Sequence, residues 1–139
     1  MSGRLFFAAT LSASLALLND RAAGQGLQVR PGLWEVSISG MGERTQSICL
    51  TPEMVRDLRN LSRRSDPASD CRPSKERVSG NSHSFEVSCT RPVRYNARIR
   101  ITVSGTDRFV MSQDFTTEIE GRARSGSMTM SYHRIGDCR

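Results

Sequence analysis

The sequence predicts an α+β protein that is mainly antiparallel β. The expected fold is a curved, half-barrel-like sheet of about seven strands with one short α-helix, stapled by disulfides. Three observations carry this expectation. Apolar and polar residues alternate with period two through most of the chain beyond residue 30, which gives each strand one apolar face. Only one stretch, around residues 51–61, has helical spacing. Cys49, Cys71, Cys89 and Cys138 form an even set downstream of an N-terminal segment with the order of an export signal.

That segment comes first in the chain. Arg4 supplies a positive charge, an uncharged and largely apolar stretch runs from Leu5 to Leu18, and small residues follow at Ala22-Ala23-Gly24. The order is that of a secretory signal peptide over residues 1–24, with cleavage after Gly24 and a single exported domain over 25–139. The apolar stretch is shorter than the roughly 20 residues a helix needs to cross a bilayer, and no second such run follows, so no membrane span is expected after cleavage. Export together with paired cysteines points to a periplasmic or secreted location.

Each element then has a local reason. Trp34, Val36 and Ile38 alternate with Glu35, Ser37 and Ser39, the pattern of a half-buried strand. Gly40-Met41-Gly42 breaks it, and Arg44–Leu50 reads as a second strand. Thr51 can cap a helix, Pro52 suits its first turn, and Glu53 complements its N-terminal dipole. Met54, Leu58 and Leu61 would form its apolar face, with Asp66-Pro67 as the stop. Gly80-Asn81 is two-residue hairpin chemistry; it sets Ser79 opposite Ser82, Val78 opposite His83, Glu76 opposite Phe85 and Ser74 opposite Val87. Tyr95, Ala97, Ile99, Ile101 and Val103 alternate most cleanly. Phe109, Met111, Phe115 and Ile119 share a face of the next strand, and a three-residue turn around Gly105 keeps the two faces together. Met128, Met130 and Tyr132 belong to the last strand, with Gly121 opposite Gly126 closing a four-residue loop before it.

Four cysteines allow three connectivities. In the uninterrupted hairpin register, Cys71 and Cys89 fall on opposite faces, whereas Cys89 and Cys138 both have inward parity. This favours Cys49–Cys71 and Cys89–Cys138; a one-residue slip in the hairpin would instead bring Cys71 and Cys89 together. The gaps between cysteines lack the close C-x-x-C pairs of a zinc or redox site, and no metal or cofactor is expected.

Net charge is +6, and Lys75 is the one lysine in a chain whose other basic residues are all arginine. Such a bias suits bidentate anion contacts, but no basic stripe with interleaved aromatics argues for nucleic acid.

Pro31-Gly32-Leu33-Trp34-Glu35-Val36, Cys49-Leu50-Thr51-Pro52-Glu53, Cys71, Ser79-Gly80-Asn81, Ser88-Cys89-Thr90 and Arg134-Ile135-Gly136-Asp137-Cys138 occur in this order over about residues 29–138. Together they resemble the bacterial exported family catalogued as domain of unknown function 3617. Arg91-Pro92 stands where that family often has a Gly-rich turn. The resemblance implies a small envelope protein, mostly of Gram-negative bacteria, and carries over no functional residues.

Catalytic chemistry is poorly supplied. His83 and His133 are the two histidines, and no nucleophile elbow, metalloprotease helix or phosphate loop is present. The candidate site residues are therefore binding residues. Trp34, Met111, Met128 and Met130 could line an adaptable apolar pocket for a lipid or other envelope component. Arg94, Arg98 and Arg100 could meet an anionic surface. The alternative is a structural or protein-interaction module whose apolar face is filled by its own side chains, with no small-molecule ligand.

Overall fold

The computed structural model describes residues 27–62 and 69–139; the expected signal peptide over 1–24 and the expected helix stop at Asp66-Pro67 lie outside these residues. Strands β1 (Gly32–Ser39), β2 (Arg44–Leu50), β3 (Arg72–Ser79), β4 (Ser82–Cys89), β5 (Arg94–Val103), β6 (Arg108–Ile119) and β7 (Arg122–Gly136) form one open sheet. Its order is β2-β1-β7-β6-β5-β4-β3, antiparallel throughout, with β2 and β3 as the two edges. The last five strands are a chain of hairpins. β1 then returns to pair with β7, so the first and last strands meet inside the sheet.

One face holds the core. Trp34, Val36 and Ile38 of β1, Ile99 and Ile101 of β5, Phe109 and Met111 of β6 and Tyr132 of β7 are all buried on it. Cross-strand neighbours explain the packing: Phe109 lies opposite Tyr132, and their rings stack at 4.1 Å, while Trp34 tilts against Phe109 at 5.3 Å. Burying each large side chain contributes roughly 1.5–3 kcal/mol, and the ring contacts add about 0.5–1.5 kcal/mol. The indole N–H of Trp34 donates to the Arg30 carbonyl at 3.2 Å, so its polar edge is satisfied. Arg30 is itself fixed over this end of the sheet by its two-pronged contact with Asp107, at 2.9 and 2.7 Å.

The three-residue turn around Gly105 is present: Val103 pairs with Phe109 and the Ser104 amide donates to the Arg108 carbonyl. The loop before β7 differs from expectation. Ile119 pairs with Arg122, so Glu120 and Gly121 make a two-residue turn, both with positive φ, at 51° and 74°. Gly126 is a mid-strand residue opposite Phe115, and a Cβ there would lie 2.8 Å from the Phe115 ring. The glycine leaves room for an aromatic ring laid across the strand, and that is why it does not mark a turn.

The helix is shorter than its periodicity suggests. α1 spans Pro52–Arg56, and a separate 3-10 turn spans Leu58–Ser62. Asp57 between them is extended, and its carboxylate accepts from the Arg59 amide at 3.1 Å and from the Arg59 guanidinium at 2.7 Å through each oxygen. An aspartate that captures the following backbone in this way competes with helix continuation. Met54 consequently points outward, 40% exposed, while Leu58 is buried and Val55 and Leu61 pack against the core.

All four cysteines are in disulfides, but not in the expected pairs: the bonds are Cys49–Cys138 and Cys71–Cys89. Two features rule out the expected pairing. Cys49 sits on edge strand β2 and Cys71 beside the opposite edge, β3. Cys89 closes β4 at its Tyr95 end, whereas Cys138 follows β7 at the end where Leu33 meets Gly136, and Cys138 is exposed rather than inward. The hairpin register changes partway. Ser79, Val78 and Arg77 face Ser82, His83 and Ser84 as expected, but beyond them Ser74 faces Glu86 and Pro73 faces Val87. Lys75 and Glu76 together stand against the single residue Phe85, a β-bulge with one extra residue, and Lys75 has φ 52°. This bulge supplies the one-residue slip that sets Cys71 against Cys89.

Burial pushes the Tyr132 hydroxyl up to about 12. The unfolded tyrosine ionises near its ordinary value of about 10 while the folded one keeps its proton, so stability is full below pH 10 and falls as pH rises toward 12. Tyr132→Phe should remove this loss. Urea unfolding at pH 9 and 11.5 should show the wild type losing roughly 1–2 kcal/mol more than the variant. An identical loss in both proteins would contradict it.

Candidate ligand cleft

The bulge also sorts side chains between faces. Glu76 projects toward the α1 side of the sheet, where both its oxygens accept from Nη1 of Arg59 at 2.8 Å. Arg59 thus lies between two carboxylates, Asp57 and Glu76. Its pKa is raised, foremost by the Asp57 hydrogen bonds and then by Glu76, with burial opposing. This ion cluster ties the 51–62 segment to β3.

What remains beneath is a cleft of about 750 Å³. Val29, Val55 and Leu58 form one wall; Val78, His83 and Ile101 form the floor, with Glu76 and Arg59 at the rim. The floor is a single cross-strand row. Val78 faces His83, His83 faces Ile101, and the row continues through Met111 and Met130 to Ile38. Val78, at the open edge, is 50% exposed.

His83 is the distinctive group. Its side chain is 12% exposed and its ring lies 5.4 Å from Phe85. Its Nε2 is buried with no hydrogen-bond partner among the described residues; the nearest carboxylate oxygen, on Glu76, is 3.9 Å away. A buried polar atom left unpaired costs about 1–3 kcal/mol, so a group bound here that could pair with it would be favoured. The cleft can therefore hold an apolar body, and a ligand group that displaced the side chains covering Nε2 would gain a hydrogen bond at the floor.

The residues expected at a pocket fall in several places. Trp34 and Met111 are fully buried in the core; Met111 stands behind Ile101 in the floor row. Met130 continues that row and Met128 lies in the next one, opposite Gln113; both are half-buried. Arg94, Arg98 and Arg100 are exposed on the opposite face, with Arg94 3.9 Å from Glu118 and Arg98 3.5 Å from Glu86. His83, Arg59 and Glu76 were not expected at a site. The signal for His83 was its even spacing from Phe85 and Val87 after the Gly80-Asn81 turn, which sets it on their apolar face.

Among the described residues, no group of three or more His, Cys, Asp or Glu is placed to hold a metal, and no helix is long and apolar enough to cross a membrane. The fold and cleft define a disulfide-stapled, single-sheet β protein with one face partly roofed by a short helical segment. Residues 29–138 match the family described as Protein of unknown function (DUF3617), and the chain belongs to it. Neither the curated proteins nor the solved structures contain a match to the chain.

The Arg59–Glu76 contact should tie the roof to the sheet. In a double-mutant cycle of Arg59→Ala and Glu76→Ala followed by urea unfolding, the pair should show a coupling of about 1 kcal/mol. Additive single effects would mean that the roof is held by apolar packing alone.

Proposed function

We propose that this chain is an exported, non-catalytic binding protein of the bacterial cell envelope whose cleft takes a lipidic or other apolar ligand bearing one hydrogen-bonding group. The observation that carries the reading is the cleft itself: an apolar wall of Val29, Val55 and Leu58 over a floor of Val78, Ile101 and His83, whose covered Nε2 is unpaired among the described residues. Its volume of about 750 Å³ falls within the roughly 300–1,000 Å³ usual for small-molecule sites. Two disulfides suit an oxidising compartment, and the order of residues 1–24 suits removal during export. The methionines take a supporting place in this reading, since Met111 and Met130 continue the floor row behind the cleft.

The test uses residues 25–139 and a fluorescent fatty acid as probe. Binding should saturate at one probe per chain. Val78→Trp, at the exposed open edge of the floor, should weaken it about tenfold, or about 1.4 kcal/mol, without lowering the unfolding midpoint. His83→Phe should weaken binding of the acid more than that of a hydrocarbon probe of equal length. No saturable binding, or binding indifferent to Val78→Trp, would overturn the cleft as the site and favour an interaction module without a ligand.

A further inference from the structure

The opposite face of the sheet carries a second cleft, of about 590 Å³, across β3, β4, β5 and β6. Its side chains are polar and its charges do not balance. Glu86 is shared by two cations, with Lys75 at 3.0 Å and Arg98 at 3.5 Å. Asp114 accepts from the Ser127 hydroxyl at 2.7 Å. Glu76 also borders this cleft, but both of its carboxylate oxygens are taken by Arg59. Arg77 and Arg100 are left exposed and without an ion-pair partner among the described residues.

Their placement is specific. Arg77 of β3 and Arg100 of β5 are the two cross-strand neighbours of Ser84 on β4, and Ser112 of β6 is the next neighbour of Arg100. With strands about 4.8 Å apart, the two arginines start roughly 10 Å from one another, a gap that two guanidinium arms can close over one small anion. The Ser84 and Ser112 hydroxyls supply further donors in the same row. Two forked cations with one hydroxyl between them and a second beside them match a tetrahedral oxyanion with several acceptor oxygens.

We infer that Arg77, Ser84, Arg100 and Ser112 form an anion site that takes a phosphate group, separate from the apolar cleft on the other face. Arg98 and Lys75 add positive field at its margin without leaving Glu86. Such a phosphate could belong to a soluble phosphate ester or to an anionic lipid headgroup, and two arms of one experiment separate these sources.

In the first arm, isotope-labelled protein of residues 25–139 is titrated with inorganic phosphate and followed by amide NMR. In the second, it is sedimented with phosphatidylglycerol vesicles, with phosphatidylcholine vesicles as control. Saturable shifts at Ser84, Arg100 and Ser112, or sedimentation with the anionic vesicles alone, would support the site. The first without the second identifies a soluble phosphate ester; the second identifies a headgroup. Arg77→Gln and Arg100→Gln should each weaken the response about tenfold, as expected for loss of a charge-assisted pair. Arg122→Gln, an equal charge change at the exposed β6–β7 turn, should leave it unchanged. All three residues are exposed, and unchanged unfolding midpoints would confirm that the variants fold. No response in either arm, or equal weakening by Arg122→Gln, would overturn the inference.

Discussion

The Gly80-Asn81 turn and the Cys71–Cys89 bond together impose a mismatch on the β3–β4 hairpin. The turn fixes Ser79 against Ser82 and the disulfide fixes Cys71 beside Cys89, yet the β3 side of that span is one residue longer than the β4 side. A regular ladder cannot satisfy both, so the surplus is expelled as the bulge at Lys75 and Glu76. Holding a lysine at positive φ costs roughly 1–2 kcal/mol. Closing a loop with a sequence separation of 18 contributes about 3 kcal/mol in the chain-entropy account. The disulfide therefore outweighs the strain. Much of the adjacent architecture follows from where the two bulge residues point: Glu76 reaches the 51–62 segment through Arg59, and Lys75 stays on the polar face with Glu86. The bulge and Pro73 also leave edge strand β3 a poor template for further strand pairing.

The rest of the sheet is governed by one-sided burial. β1, β5, β6 and β7 alternate inward apolar and outward polar residues, and Trp34, Phe109 and Tyr132 form a continuous ring cluster where the first and last strands meet. Because β1 pairs with β7 and not with β3, the chain must cross the apolar face after β2, and residues 51–62 make that crossing. Cys49–Cys138 fastens β2 to the end of β7 across the intervening β1. It closes a longer loop, with a separation of 89, worth roughly 4–5 kcal/mol in the same account.

Period-two alternation made the strands readable because it reports burial directly. Thr51, Pro52 and Glu53 made the helix start readable because caps act locally. What could not be read were features decided by a distant partner. Lys75 has no residue-type signal for positive φ, and a parity argument carried across the hairpin inverts when one bulge intervenes. Gly126 looked like a turn because the Phe115 ring that covers it comes from another strand. Asp57 lies inside the stretch with helical spacing, and its break from the helix depends on the carboxylate that holds Arg59. The site was less legible than the fold for a related reason. Trp34 and the methionines drew attention by residue type, whereas the cleft is floored by Val78, His83 and Ile101, residues made significant by register alone.

Both faces of the β3–β4–β5 region follow from that register. Cross-strand proton contacts by NMR test it most directly. Contacts should place Arg77 opposite Ser84 near the turn and Ser74 opposite Glu86 beyond it, with a break at Lys75 and Glu76. An unbroken ladder with Glu76 opposite Phe85 and Ser74 opposite Val87 would contradict it.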